Sequence, residues 1–393
     1  MPLKILHIDN TCTGCGACVS TCPKDALTLS YDKEGFYYPH LDVGKCVDCK
    51  ACEKTCHVLN VPHKPSLNYK AFMLKANDKD IVHKSSSGGA FTLLANEVLK
   101  NGGVVYGARY NFQEERLEHC STDICSLDEL RKSKYIESYS GTIFKEVLHN
   151  LKTGRWVLFV GTPCQIEGLH HFLCTRKTDM KNLLLVRFIC HGVPSNKFFT
   201  EYKHYEENKH KSKMTFFDFR PKIHGWRSSD WKMCFDNGKI ETGPYYYYYY
   251  YYYFQTSNTL RASCYLCRRV FNESADITIG DFWGIHKLCP DNQDQEGITV
   301  LLAHNDKALK FVKRIQEYSL VTPIPTSAVD YIYKEALERS KIFDERNLIM
   351  KQVAEQGYMA VAKKQVGMAI MKYKIKGRIL HYIRTIQKWT KRK

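Results

Sequence analysis

Apolar and polar positions along this chain follow several rhythms. Between residues 26 and 39, two short apolar stretches, Ala26-Leu27-Thr28-Leu29 and Phe36-Tyr37-Tyr38-Pro39, flank a charged turn at Asp32 to Gly35 and predict a small β-hairpin. Trp156 to Val160 is a continuous apolar run and Leu183 to Ile189 one broken only by Arg187, the form a strand takes when both faces of its sheet are covered. Val104-Val105-Tyr106, after a Gly102-Gly103 turn, and Ile277-Thr278-Ile279 add two shorter strands, while a helical pattern leads from Ser85-Ser86-Ser87-Gly88-Gly89 to Lys100. Near the end, Ile375, Ile379, Tyr382, Ile383 and Ile386 recur at helical spacing between Lys376, Arg378, Arg384 and Lys388, which predicts a basic amphipathic helix. Strand and helix signals interleave, so the body is of mixed α/β class.

Cysteine spacing changes the picture at the N-terminus. Cys12, Cys15, Cys18 and Cys22 repeat the spacing of Cys46, Cys49, Cys52 and Cys56, C-x2-C-x2-C-x3-C in both runs. Three thiolates from one tight loop cap three corners of a 4Fe-4S cube, and the fourth, a turn further on, reaches the neighbouring cube. The expected ligand sets are therefore Cys12, Cys15, Cys18 and Cys56 for one cluster, and Cys46, Cys49, Cys52 and Cys22 for the other. A structural zinc site gains nothing from a third closely spaced cysteine. Gly14, Gly16, Ala17 and Ala51 suit a backbone wrapped closely around a cluster. Pro23 completes the bacterial ferredoxin form after the first run; the second run departs from it with His57. So small a module has little apolar core, and the clusters must supply much of its folding energy.

The remaining composition is that of an ordinary globular chain: 393 residues, 44% hydrophobic and 25% charged. Neither a long apolar run nor a signal-peptide pattern is present, so neither a membrane span nor export is expected. The cysteine runs require a reducing compartment, which points to the cytoplasm. The net charge of +17 is concentrated at the end, where nine Lys or Arg and no acid lie between residues 370 and 393. That tail suits the inner face of an anionic membrane, an acidic partner subunit, or packing on its own domain. Nucleic-acid binding has no motif behind it. Cys120, Cys125, Cys174, Cys234 and Cys289 lack ligand spacing and read as small buried apolar residues. The nine tyrosines from Tyr245 to Tyr253 carry no pattern and read as a tolerated low-complexity insert.

A third group of cysteines lies in the body. Two predicted strands end in Gly161-Thr162-Pro163-Cys164-Gln165 and Cys190-His191-Gly192-Val193-Pro194, and ligands of open α/β sheets sit beyond the carboxyl ends of strands. With the C-x2-C pair Cys264 and Cys267, Cys164 and Cys190 make a candidate third four-thiolate site. A C-x2-C pair is shared by zinc, redox-dithiol and iron-sulfur sites, and Cys164 as a nucleophile with His170, His171 or His191 as base is a further reading.

Taken together, Ser86-Ser87-Gly88-Gly89, Ser133-Lys134-Tyr135, Gly161-Thr162-Pro163-Cys164-Gln165, Cys190-His191-Gly192, Arg261 with Ser263-Cys264, and Asp276 to Trp283 resemble the beta subunit family of coenzyme F420 hydrogenases and dehydrogenases, over roughly residues 1 to 305. The resemblance implies an iron-sulfur flavoprotein oxidoreductase that binds FAD and a 4Fe-4S cluster in its body. It implies cofactor contacts at Ser86, Ser87, Gly88, Gly89, Ser133, Lys134, Tyr135, Ser138, Thr162, Gln165 and Lys222. A serine- and glycine-rich helix start offers amides and hydroxyls to a pyrophosphate, or is a plain capped helix. Lys222 follows Pro221 where the resemblance calls for an acid, and a solvated lysine is its ordinary reading.

The expected organisation is a ferredoxin-like domain at 1–60, a linker at 61–70, a flavin and iron-sulfur body at 71–340 and a basic helical tail at 341–393. The expected function couples one-electron traffic through the clusters to hydride exchange at FAD, with coenzyme F420, ferredoxin, a nicotinamide or a small-molecule substrate as partner. No acid-base triad is found, and catalytic side chains are not assigned. The alternative is an electron conduit or docking subunit of a larger complex, which flavin content separates from the enzyme.

Overall fold

The structure is a computed structural model that describes residues 3–7, 9–60, 68–267, 274–292, 294–330 and 342–390. The N-terminal hairpin forms as its pattern predicts, with β1 (Leu27–Tyr31) antiparallel to β2 (Tyr37–Leu41) and Gly35 in the left-handed region at the turn. Its core is small: Leu3, Ile5, Val19, Leu27, Leu29 and Tyr37, closed by Cys52 and Cys56 of the second cysteine run. Most of the expected linker, residues 61–67, lies outside the described residues.

The body is built on an eight-stranded sheet. Its strands are β3 (Lys70–Ala76), β4 (Val104–Asn111), β5 (Arg116–Ser121), β6 (Val157–Gly161), β7 (Leu183–Phe188), and, beyond a separate three-stranded sheet of β8 (Met214–Asp218), β9 (Asp230–Phe235) and β10 (Ile240–Pro244), β11 (Ile277–Asp281), β12 (Thr299–Ala303) and β13 (Ser319–Ile324). The order is β13-β3-β12-β11-β7-β6-β4-β5, with β4, β6, β7 and β11 parallel at the centre and antiparallel pairs on both flanks. The two apolar runs are the central strands β6 and β7, and alternation explains their composition, Arg187 of β7 being buried with Nε donating to Thr278 Oγ1 at 2.8 Å. Val157, Phe159, Leu183 and Leu185 face the helices Ile143–Lys152 and Pro163–Cys174, while Leu158, Leu184 and Val186 face Ala90–Leu99 and Asp306–Ile315.

A second, aromatic core joins β8 and β9 to the helix Asn196–His210 and to the C-terminal helices Phe343–Gln356 and Tyr358–Thr390. Here the tyrosine run departs from its reading as an insert. Tyr249–Thr256 is a helix, with Tyr248, Tyr250, Tyr251 and Tyr253 buried among Phe198, Phe199, Phe219 and Trp231. The buried hydroxyls are satisfied: Tyr250 Oη donates to Tyr135 O at 2.7 Å, Tyr251 Oη to Phe219 O at 3.0 Å and Tyr253 Oη to Gln365 Oε1 at 2.8 Å. A tyrosine is apolar along its ring and polar at its tip, so one residue type serves both the core side and the wet side of a helix.

The tail helix begins earlier than its basic pattern. Tyr358, Val361, Ala362, Val366 and Ile370 are buried against the body, whereas Met371, Tyr373, Ile375 and Ile379 are exposed; the side chains of Tyr382, Ile383 and Ile386 lie outside the described residues. No helix among the described residues is long and apolar enough to cross a membrane. Cys120 and Cys125 are buried as expected, Cys234 and Cys289 are half-buried, and Cys174 is exposed, 3.7 Å from His170 Nδ1.

The cysteine-rich segment docks on the face of the sheet that carries Pro163–Cys174, and Gly168 on that helix makes the approach possible. A Cβ there would stand 2.7 Å from Cys15 Sγ and 3.1 Å from Cys15 Cβ. Gly168→Ala is therefore expected to destabilise the protein by about 1–3 kcal/mol through overpacking. It should also lower the iron retained after anaerobic gel filtration, and thermal unfolding with iron analysis checks both.

Candidate metal centres

The two cysteine runs fold into matching half-sites. Each carries a five-residue helix, Ala17–Thr21 or Ala51–Thr55, entered through a left-handed residue, Gly16 or Lys50, and left through its last cysteine, Cys22 or Cys56, in extended conformation. Thr21 Oγ1 donates to Thr55 Oγ1 at 3.0 Å where the helices meet. The extended C-caps send Cys22 and Cys56 across to the opposite half. Cys22 accordingly lines one cavity of about 330 Å³ with Cys46, Cys49 and Cys52. Burial pushes the Cys15 thiol up to about 12, with Cys56, Cys164 and Cys12 adding to it, and also raises Cys18 well above the ordinary thiol value beside Cys15, Cys12, Cys56 and Cys52. Cys22 thus stands with the first three cysteines of the second run, and Cys56 lies close enough to Cys15 and Cys18 to act on both. Thiols dried in this way resist ionisation until positive charge, as a bound metal would supply, stands beside them.

The third group gathers beyond the sheet. The helix Pro163–Cys174 starts directly after β6 under a capping box, in which Thr162 Oγ1 accepts from Gln165 N at 3.4 Å and Gln165 Oε1 accepts from Thr162 N at 3.1 Å. Pro163 opens the first turn, and Cys164 follows it with Sγ 3.1 Å from Thr162 Oγ1. Cys190 follows β7, its sulfur accepting from Gly192 N at 3.4 Å. Cys264 sits on the short helix Ala262–Tyr265, and Cys267 N donates to Cys264 O at 3.4 Å. All four sulfur residues line one cavity of about 620 Å³, bordered by Thr13 and Gly14 of the first cysteine run. The donor set, four cysteines in a half-dry pocket at the carboxyl ends of β6 and β7, suits a cluster as well as the N-terminal sets do.

The other residues singled out from the sequence fall into two places. Ser138, Thr162 and Gln165 line the third cavity. Behind them His119 is buried and pushed down to about 4 by desolvation, hence neutral. Since Val160 O only accepts, the ring carries its proton on Nε2, 3.2 Å from that oxygen, and Nδ1 accepts from Ser138 Oγ at 2.8 Å. The second place is the start of the helix Ala90–Leu99. Ser86 Oγ accepts from Ser133 N at 2.8 Å, and Lys222 Nζ donates to Ser87 O at 3.1 Å and Val82 O at 2.8 Å. Gly88 answers to packing, since a Cβ there would meet Leu74 O at 2.3 Å. Gly89 takes the left-handed N-cap position at φ 96°. Tyr135 leaves both places and stacks on Phe254 in the aromatic core, at 4.2 Å between ring centroids.

Lys134 and Lys222 are half-buried, held by backbone carbonyls, and make no ion pair among the described residues. Burial lowers each to about 8, with the neighbouring Lys132 adding to the shift at Lys222. Two such cations suit an anionic group, and Lys222 is thus no solvated surface lysine.

Three further residues, not foreseen as site residues, join the N-terminal segment to the body. Arg261 is fully buried, its Nε donating to Cys12 O at 2.7 Å and its Nη1 paired with Glu137. Glu137 Oε2 accepts from Tyr37 N at 3.1 Å, and burial pushes this carboxyl up to about 7 against the pull of Arg261. His57, where a ferredoxin would carry proline, lies buried with Nδ1 3.2 Å from Glu167 and Nε2 3.1 Å from Thr13 Oγ1. Arg261 carried a signal in its place before Ser263-Cys264 and His57 in its departure from proline, while Glu137 carried none.

Comparison with known proteins adds the family. Residues 154–327 match the model for the C terminus of the coenzyme F420 hydrogenase/dehydrogenase beta subunit, and residues 11–60 that of the 4Fe-4S dicluster domain. An uncharacterized ferredoxin of Methanocaldococcus jannaschii is 39% identical over 56 residues, 14% of this chain and 71% of the ferredoxin. A chain of the F420-reducing NiFe hydrogenase complex from Methanosarcina barkeri aligns over 74% of this chain and 95% of its own, at 18% identity and a TM-score of 0.48. The chain thus joins a 4Fe-4S dicluster domain to a body of the coenzyme F420 hydrogenase/dehydrogenase beta subunit family.

Proposed function

We propose that this protein is an iron-sulfur flavoprotein oxidoreductase in which the N-terminal module carries two 4Fe-4S clusters and Cys164, Cys190, Cys264 and Cys267 carry a third. The observation that supports it most is the shared cavity: the four body cysteines face the loop of the first run, so that Cys15 senses both Cys164 and the N-terminal thiols. Single electrons then have a file of sites from Cys46, Cys49, Cys52 and Cys22, through Cys12, Cys15, Cys18 and Cys56, to the body. Bound FAD supplies the exchange between hydride and single electrons, with coenzyme F420, ferredoxin, a nicotinamide or a small oxidised molecule on the other side. Lys134, Lys222, Ser86, Ser87 and Ser133 would hold its anionic part, and Ser138, Thr162 and Gln165 would orient the group next to the third site. His119, fixed neutral, keeps Ser138 aimed and adds no charge there. We assign the module to residues 1–60, the body to 71–340 and the tail to 341–393, with a cytoplasmic location.

Protein purified anaerobically should contain about twelve irons, four for each cubane, and one flavin per chain; about eight irons without flavin would overturn both assignments in the body. Cys15→Ser or Cys49→Ser is expected to remove one N-terminal cluster and slow reduction by ferredoxin, while leaving flavin bound. Flavin lost in parallel with iron in these variants would argue that the module and body do not hold their cofactors independently.

The tail supports a docking role beside catalysis. Met371, Ile375 and Ile379 recur on one exposed side of a helix whose charges are all basic past Ile370, the composition of a helix that lies on an anionic lipid surface. The full chain should sediment with phosphatidylserine vesicles at low salt and be released as salt rises. Ile375→Glu with Ile379→Glu should abolish sedimentation; binding that survives these changes would exclude the apolar side from the contact.

A further inference from the structure

One buried cation stands between the first cysteine run and the third cavity. Arg261 is 1% exposed, and its own backbone N donates to Val193 O at 2.9 Å on the rim of that cavity. Its Nε and Nη1 are committed to Cys12 O and Glu137. The guanidinium lies 4.2 Å from the centre of the Tyr38 ring. Its Nη2 is buried and has no hydrogen-bond partner among the described residues, although Arg261 lines the cavity with Cys164, Cys190, Cys264 and Cys267. A charged N–H left unpaired out of water is costly, and among the described residues that line the cavity Arg261 is the one cation able to donate a charge-assisted bond. The loop is shaped to the group: a Cβ on Gly14, itself in the left-handed region, would stand 3.0 Å from both Arg261 Nη1 and Glu137 Oε1.

We propose that Arg261 is a positioning residue for electron transfer between the first N-terminal cluster and the third. Its Nε fixes the backbone of Cys12, and its Nη2 donates to the thiolates or sulfides at the third site, stabilising that site once it takes an electron. This rests on the third cluster proposed above. The step is one electron exchanged between two clusters, one oxidised as the other is reduced, with no bond made or broken and no proton released by the guanidinium. Hydrogen bonds to cluster sulfur and nearby charge are the protein's means of setting such potentials. Glu137 is the counterweight: it holds Nη1 in place and offsets part of the charge.

The test is an EPR-monitored redox titration of the anaerobic, iron-loaded full chain. Arg261→Gln should keep its iron and move one midpoint to more negative potential, with the reduced-to-oxidised ratio at the wild-type midpoint falling about tenfold, or about 59 mV for a one-electron couple. Glu137→Gln should move the same midpoint the opposite way, and Arg261→Lys should fall between Arg261→Gln and wild type. Unchanged midpoints with iron retained would overturn the proposal, as would shifts of the same sign in Arg261→Gln and Glu137→Gln, which a packing role produces. If Arg261→Gln loses iron, the sign of the Glu137→Gln shift decides: positive supports the proposal, and absent or negative overturns it. A wild type with about eight irons and no third midpoint would instead remove the third cluster itself, and the proposal with it.

Discussion

The close approach of the first cysteine loop to the body is the constraint around which this molecule is arranged. It demands a helix with no side chain at Gly168, a loop with none at Gly14, and a cation buried beside that loop. Burying an ion pair such as Arg261 with Glu137 costs several kcal/mol in desolvation, which Coulomb attraction returns only with good geometry. Such a pair adds little to net stability but penalises any other seating, because a displaced module would take Cys12 O away from Arg261 and Tyr37 N away from Glu137. His57, with Nδ1 3.2 Å from Glu167 on the helix Pro163–Cys174, ties the module to the body at a second point, and two such ties fix it in position and rotation. The rigid parallel centre of the sheet supplies the platform, since β6 and β7 end side by side and deliver Cys164 and Cys190 to one place.

Much of this was legible in the sequence wherever the physical cause is local. Cysteine spacing within a turn determines which sulfur stays and which crosses, so the two half-sites follow from the runs themselves. Buried strands between two helical layers lose their polar positions, so β6 and β7 stood out, and the rule that ligands collect at carboxyl ends joined Cys164 to Cys190 across 26 residues. Long-range charge pairing leaves no such mark. Glu137 is one acid among 41, and nothing near it in sequence announces that Tyr37 N and Arg261 will close on it. The replacement of a ferredoxin proline by His57 was visible as a departure, but its meaning lies in Glu167, more than a hundred residues away. Cys174 failed as a buried residue because the helix Pro163–Cys174 turns its last position toward solvent.

The N-terminal module also shows how little apolar burial a metal-bearing fold requires. Its core is a handful of side chains around the hairpin, and part of that core is the cysteines themselves. Such a module gains order from its cofactor and its docking surface rather than from its own interior. The body is the reverse case, with layered aliphatic and aromatic cores that need no cofactor to explain their packing.

The tyrosine helix carries a consequence for how this sequence can change. Within a run of one residue type, a helix can slide by one position and still present tyrosine to every neighbour, so the interior of the run contains no information about register. The ends must hold it: Pro244 before the run, and Phe254, stacked on Tyr135, after it. Gaining or losing one tyrosine codon, the commonest error in copying a repeat, would turn every residue beyond by about 100° and swing Phe254 off its partner. The length of the repeat is therefore under a stricter geometric limit than its monotony implies.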